Sequence, residues 1–320
     1  MSEIIRIGTR KSRLALEQTR LMQRELENAF SDLSCELVTR ETTGDQIIDR
    51  PLQVFGGKGV FVEEFESAIL NGAMDLAIHS AKDMPMELAE GLIIGAVSSR
   101  EDPRDVLVTT ADFCFKDLTS FRVGTSSPRR QLQVRLLWEE IWKELVSPAN
   151  IGGETERNAS LPVPPPICET LRGNVSTRLE KLKAGLYDGI ILASAGLKRL
   201  GICEEEGYRF LYLDPHRFIP AGGQGIMAAE AKADTRAARL CQTIDNKEAR
   251  LCLELERSIL HMLGAGCHEP IGVYSEISDG FLEVWGIRGC DSEVKRIHLR
   301  DRADQEGSAR LAAKAWKGLE

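Results

Sequence analysis

The sequence predicts two similar α/β lobes followed by a small α+β domain built on a three-stranded antiparallel sheet. Three observations carry that prediction: an internal repeat, short apolar runs alternating with helix-period segments, and a change of pattern after about residue 244. A chain of 320 residues is long enough for two or three cores of ordinary size.

The repeat comes first. Arg6-Ile7-Gly8-Thr9-Arg10-Lys11-Ser12-Arg13 ends a strand, turns at Gly-Thr and opens an amphipathic helix, and Arg122-Val123-Gly124-Thr125-Ser126-Ser127-Pro128-Arg129 does the same. A second pair, Gly72-x-x-Asp75-x-x-Ile78 and Gly185-x-x-Asp188-x-x-Ile191, follows the helix-like stretches 61–70 and 178–183. Two matches in the same order imply two βαβ lobes. The apolar runs 75–78 and 188–192 suit parallel strands covered on both faces. The turn-prone segment 99–104 suits one crossing between lobes and 220–225 the return. The first lobe is therefore expected over 1–100 and 224–243, the second over 104–220, with a cleft between them. A helix-period segment at 246–263, strands near 271–275, 281–288 and 294–299, and a last helix from about 306 place the third domain at 244–320. The stretch 143–166 has no periodicity and reads as a loop inserted in the second lobe, to which no chemistry is assigned.

Composition excludes several functions. Hydrophobic content of 42% and charged content of 28% fit a soluble globular protein, and no apolar run is long enough to cross a membrane. The first residues show no signal-peptide pattern, so a cytoplasmic location is expected. A net charge of -8 repels polyanions, which argues against nucleic acid. An anion site must then be built by focusing a few arginines in a cleft. The cysteines Cys35, Cys114, Cys168, Cys203, Cys241, Cys252, Cys267 and Cys290 show no C-x-x-C or metal-ligand spacing and read as reduced thiols, with no metal expected.

Ligands of open α/β sheets sit beyond the carboxyl ends of the strands, where the polar clusters fall. In Gly124-Thr125-Ser126-Ser127-Pro128-Arg129-Arg130, Ser127 fits an N-cap, Pro128 the first helical position, and two guanidinium groups follow. Cations there oppose the helix dipole, and an external carboxylate or phosphate would justify them. Arg10, Lys11, Ser12 and Arg13 hold the same place in the first lobe. Arg172, Gly173 and Arg178 occupy another strand-to-helix turn, and Arg199 follows the strand ending at Ala193. Each alone reads as a surface charge; together they would ring the cleft with planar donors. Asp83, in His79-Ser80-Ala81-Lys82-Asp83-Met84-Pro85, either faces the cleft or is a turn aspartate paired with Lys82. Phe55-Gly56-Gly57-Lys58-Gly59 lacks the spacing of a Walker A loop. Cys267, in Gly264-Ala265-Gly266-Cys267-His268-Glu269-Pro270, is by default a small buried hydrophobe, but its glycines and His268 favour an accessible thiol.

These motifs, with Arg100-Glu101-Asp102-Pro103-Arg104-Asp105, Ala195-Gly196-Leu197-Lys198-Arg199-Leu200-Gly201 and Gly223-Gln224-Gly225, occur in the order of the porphobilinogen deaminase family, which the chain resembles from about residue 4 to 315. The resemblance implies a periplasmic-binding-protein-like pair of lobes. It implies a monomeric transferase that condenses four porphobilinogen molecules into hydroxymethylbilane on a covalent dipyrromethane cofactor, anchored at the cysteine matching Cys267. It implies Asp83 as the catalytic carboxylate, stabilising a cationic azafulvene and moving protons. Cofactor contacts are implied for Ser80, Lys82, Asp83, Thr125, Ser127, Arg129, Arg130, Arg172 and Gly173, and substrate contacts for Arg10, Ser12, Lys58, Arg172, Arg178, Arg199 and Gln224. The segment between Arg130 and Arg172 is longer than the family pattern, and Arg13 and the turn 264–266 depart from it. A non-enzymatic two-lobed anion-binding protein is the alternative class, but it would need neither Cys267 nor Asp83.

Overall fold

Alternation of apolar strands with amphipathic helices produces two five-stranded sheets of the same order. The computed structural model describes residues 3–40, 62–147, 162–264, 269–290 and 293–320. The first sheet contains β1 (Glu3–Arg10), β2 (Leu33–Arg40), β3 (Leu76–Ser80), β4 (Leu92–Val97) and β10 (Met227–Lys232), ordered β2-β1-β3-β10-β4. The second contains β5 (Asp105–Thr110), β6 (Phe121–Gly124), β7 (Pro166–Glu169), β8 (Gly189–Ala193) and β9 (Tyr208–Tyr212), ordered β7-β6-β8-β5-β9. In each, three strands run parallel through helical crossovers, and one antiparallel strand, β10 or β5, lies beside the third. Residues 98–104 carry the chain from one sheet to the other, and 213–226 carry it back.

The repeat has a physical basis at matching positions. Arg6 donates from its main chain and guanidinium to Asp75 at 2.8–3.1 Å, and Arg122 binds Asp188 in the same way at 2.7–3.3 Å. Each pair ties the central strand of the parallel run, β1 or β6, to the start of its neighbour β3 or β8. A Cβ on Gly124 would lie 2.9 Å from Ile190 and Tyr187, and one on Gly8 would collide with Met74 and Phe65, so both turns require glycine.

The helices are α1 (Arg13–Ala29), α2 (Glu63–Leu70), α3 (Pro128–Leu145), α4 (Val175–Lys183), α5 (Ser194–Leu200), α6 (Arg236–Cys241), α7 (Lys247–Met262) and α8 (Gln305–Leu319) among the described residues. They cover the sheets and bury separate apolar cores, one around Ile7, Met22 and Leu76, others around Phe121, Trp138 and Trp142 and around Leu107's neighbours Val106 and Val108. None is long and apolar enough to cross a membrane. The second lobe's α5 meets the first lobe's α1, where Gly196 lies 3.6 Å from Leu14 if given a Cβ and Arg13 donates to the Leu200 carbonyl at 3.3 Å.

The third unit is the antiparallel sheet β11 (Ile271–Ser278), β12 (Phe281–Cys290), β13 (Glu293–Arg302), packed on α7 and α8 through Leu255, Ile259, Val284 and Leu311. Its register runs Tyr274↔Trp285↔His298 across the three strands. Glu256 of α7, fully buried, joins this unit to both inter-lobe segments: it accepts from Arg100 at 2.7 Å, from the Gly223 amide at 2.7 Å, and from the Ser275 amide and hydroxyl at 2.7 and 2.9 Å. A carboxylate buried without such partners would cost several kcal/mol, so the three units are locked together by its satisfaction. The loop expected over 143–166 is shorter at its ends, because α3 continues to Leu145 and β7 begins at Pro166; residues 148–161 lie outside the described residues.

Candidate active site

A cavity of about 220 Å³ opens where the two lobes meet the third unit, and Lys82, Asp83, Ser127, Arg129, Arg130, Gln224 and Glu269 are among its lining residues. Strand β3 delivers the first two. It ends at Ser80 and turns at once into a single 3₁₀ turn, Ala81–Asp83, closed by the Met84 amide donating to the Ala81 carbonyl at 3.3 Å. Behind it His79 Nε2 lies 3.0 Å from the buried Glu230, and Phe65 packs edge-on to the imidazole at 5.6 Å. In front, the return segment lies against the turn. Gly223 sits at φ +76°, and a Cβ there would come 3.0 Å from the backbone of Ala81 and Lys82. Asp83 is thus an exposed carboxylate on a fixed turn facing a cavity. It is at once a turn aspartate beside Lys82 and a lining residue of the cavity. Burial lowers the Lys82 pKa, opposed by Asp83, with Arg130 adding to the lowering.

The second lobe supplies the cations, by a route the local sequence pattern does not reveal. Ser127 caps α3 by accepting from the Arg130 amide at 3.4 Å, with Pro128 at the first helical position. Arg129 and Arg130 follow, both buried. The anion opposite them is internal. Arg129 donates to Asp105 Oδ2 at 2.7 Å, and Arg130 donates to Asp105 Oδ1 at 2.7 and 3.1 Å. Carbonyls of Ile219 and Ile191 take further donors at 2.7 and 2.8 Å. Burial opposes the charge on Asp105, yet the two guanidinium groups outweigh it and hold this carboxyl well below the usual range. An internal carboxylate thus faces these cations, where an external anion was expected. Two cations on one anion leave the assembly positive, and both still line the cavity.

Gln224 is buried between the lobes. Its amide nitrogen donates to the Pro103 carbonyl at 2.7 Å and to Asp105 at 3.1 Å, while its Oε1 is buried with no partner among the described residues. Arg178 donates to the Gly173 carbonyl at 2.8 Å, and Gly173 at φ +110° allows the turn that α4 opens from. Burial pushes the Arg178 guanidinium down to about 10, with Arg130 adding to the fall, Asp83 opposing it and Arg172 adding again. Those four side chains share one field. Arg199 donates to the Gly225 carbonyl at 2.6 Å, and burial lowers its pKa.

Other expected site residues build turns. Ser12 caps α1, accepting from the Ala15 amide at 3.3 Å, and the buried Thr125 hydroxyl oxygen accepts from the Ser127 amide at 3.2 Å. Ser80 ends β3, and Arg10 ends β1. Arg172 lies between β7 and α4. Lys58 and Cys267 lie outside the described residues. Sequence pattern alone missed Asp105, Arg257 and Glu269. Asp105 and Glu269 stood within quoted motifs without a role, because the partners of Asp105 lie on a distant helix and the return segment. Of the described cysteines, burial pushes Cys241 up to about 12 and Cys35 and Cys252 up to about 11, so these thiols are poor nucleophiles.

Two family models cover the chain: "Porphobilinogen deaminase, dipyromethane cofactor binding domain" over residues 5–239 and "Porphobilinogen deaminase, C-terminal domain" over residues 250–314. Porphobilinogen deaminase from Syntrophobacter fumaroxidans is 42% identical over 310 residues, 96% of this chain and 91% of that one. The Syntrophomonas wolfei protein of the same name is 40% identical over 88% of this chain and 84% of its own. Among solved structures, a periplasmic substrate-binding protein from Coxiella burnetii aligns with 77% of this chain and 94% of its own at 12% identity and a TM-score of 0.41. With both halves matched in order and relatives aligned almost end to end, the chain belongs to the porphobilinogen deaminase family.

Proposed function

We propose that this chain is a hydroxymethylbilane-forming transferase, which deaminates porphobilinogen and joins four molecules head to tail on a dipyrromethane cofactor held by Cys267 as a thioether. The observation that carries the reading is the cavity, in which Asp83 stands on a fixed turn opposite a wall of buried cations. The residues suit a group bearing carboxylates and pyrrole N–H donors. Lys82, Arg129 and Arg130 offer cations, Ser127 a hydroxyl, and Gln224 a buried oxygen with no partner among the described residues. When bound, the dipyrromethane group supplies the pyrrole carbon at which the chain grows.

Substrate carboxylates are held by guanidinium groups already desolvated by the protein, so little of their hydration has to be stripped on binding. The charged form of Arg178 is disfavoured by burial and by two neighbouring arginines, so a carboxylate partner would stabilise it. Loss of ammonia leaves positive charge shared with the pyrrole nitrogen. The Asp83 carboxylate accepts from that N–H and holds the developing charge beside a fixed anion. A carboxylate oxygen of Asp83 also takes up the proton released as the ring regains aromaticity. Arg10, Ser12, Lys58, Arg172, Gly173, Arg199, Ser80 and Thr125 complete the proposed contacts.

Intact-mass measurement tests the anchor. The purified protein should exceed its chain mass by two linked pyrrole units, and Cys267→Ala should not. Fully active protein at bare chain mass would refute it. The same reading carries a cytoplasmic monomer that needs no membrane or nucleic acid, for which light scattering on an eluting peak gives the check.

A further inference from the structure

The charges of the cavity are unbalanced in a way that bears on one end of the substrate. Its charged lining among the described residues comprises four cations, Lys82, Arg129, Arg130 and Arg257, and two carboxylates, Asp83 and Glu269. Porphobilinogen brings two carboxylates and also one ammonium, on the aminomethyl group that departs. The cations suit the former and repel the latter. Asp83 is occupied with the pyrrole nitrogen, which leaves Glu269, contributed by the third unit.

The backbone at Glu269 is tied to the sheet of the third unit. Its own carbonyl accepts from the Ile271 amide at 2.8 Å, and the next carbonyl, of Pro270, accepts from the Gly289 amide at 3.0 Å, pinning this end of the turn to β11 and β12. Arg288 of β12 reaches one carboxylate oxygen, Oε2, at 3.3 Å, a long single contact rather than a bidentate pair. Arg288 is itself imperfectly satisfied, since its Nε is buried without a partner among the described residues and its other contact, to the Leu319 carbonyl, is 3.4 Å. The arrangement braces the carboxylate from behind without saturating it.

Resting on the proposed reaction, we infer that Glu269 binds the aminomethyl ammonium of the incoming porphobilinogen and so orients its departing nitrogen. The bond that breaks is C–N, its electron pair leaves with the nitrogen as ammonia, the three N–H hydrogens go with it, and the positive charge stays on the pyrrole. Glu269 neither gains nor loses a proton in that step. Its contribution is to bind the amine in the ground state and to select amine-bearing pyrroles.

The test uses the loaded protein, its two-pyrrole mass verified first, with porphobilinogen and an analogue bearing methyl in place of aminomethyl. In Glu269→Gln, KM for porphobilinogen should rise about tenfold or more while kcat changes less than about threefold, since the lost contact is made before C–N cleavage. The analogue's Kd, by calorimetry, should stay within about twofold of wild type, because it carries no ammonium. An unchanged KM overturns the assignment. So does a parallel rise in the analogue's Kd, which would mean that Glu269 only shapes the cavity, or a variant that lacks the two-pyrrole mass. If the Gln variant does not fold, Glu269→Asp takes its place: KM should still rise, with the analogue's Kd unmoved, and an unchanged KM again overturns the idea. Wild type that releases no ammonia from porphobilinogen would sink the enzymatic reading itself, whereas an active wild type with an unaltered variant sinks only this assignment.

Discussion

The two lobes share strand order, glycine turns and an Arg–Asp tie, yet they differ at one register position. Met227 stands opposite Ser80 in the first sheet, and Asp105 stands opposite Ala193 at the matching place in the second. In the second lobe that carboxylate draws Arg129 and Arg130 inward and fixes a positive wall. In the first, an apolar strand end leaves the turn Ala81–Asp83 to show its own charges to the cavity. After β8 the chain instead runs directly into α5, with Gly196 packed toward α1. The two similar scaffolds thus bring different charges to the cavity: buried guanidinium groups from one lobe, an exposed carboxylate beside Lys82 from the other.

Substitutions on either side of this contrast should break it unequally. Asp83→Asn should have the largest effect, lowering kcat by ~10³-fold while binding of the methyl analogue changes little, because the amide cannot hold a cation or take a proton. Turnover near wild type would place the chemistry elsewhere. Asp105→Asn should act on stability, leaving two buried guanidinium groups against a neutral amide at a cost of ~3–5 kcal/mol, read from urea unfolding. The sign of its pH dependence follows from the lowered carboxyl pKa. The stabilisation is fully present above the unfolded value of about 3.9 and is lost as pH falls from there toward the folded value. Wild type should therefore lose stability more steeply than Asp105→Asn below about pH 4. The matched ties should give the smallest and most nearly equal effects. Asp75→Asn and Asp188→Asn should each cost about 1–2 kcal/mol, discounted because both arginines are substantially exposed. A large difference between the two would show that the lobes are less alike mechanically than their hydrogen bonds imply.

Much of this contrast was legible from the residues. The period of the apolar runs gave both sheets, and the spacing from Gly72 to Ile78, repeated from Gly185 to Ile191, marked the equivalent strands. The strand before Ser80 put Asp83 at a carboxyl end. The unread part concerns partners distant in the chain. Arg6 meets Asp75 and Arg122 meets Asp188 across 69 and 66 residues, a near-constant offset that the two repeats together contained as a signal. Asp105 reaches Arg129 from an antiparallel strand whose neighbour is set only by the crossing between lobes. Glu256 looked like any charge within a helical period, because its partners Arg100, Gly223 and Ser275 come from three other segments. Local pattern reveals what a residue's own element demands, and tertiary satisfaction decides what its charge is for.

The strand exchange has a consequence for the order in which the protein is made. The second sheet is drawn entirely from residues 105–212, an unbroken stretch of chain. The first is not: β4 ends at Val97, but the strand that joins it to β3 begins only at Met227. While the chain emerges from the ribosome, the amino-terminal half therefore waits with an unpaired edge, and the later half can close its own sheet sooner. The lobe that carries Asp83 is begun first and finished second, after the cationic wall it will face has taken shape.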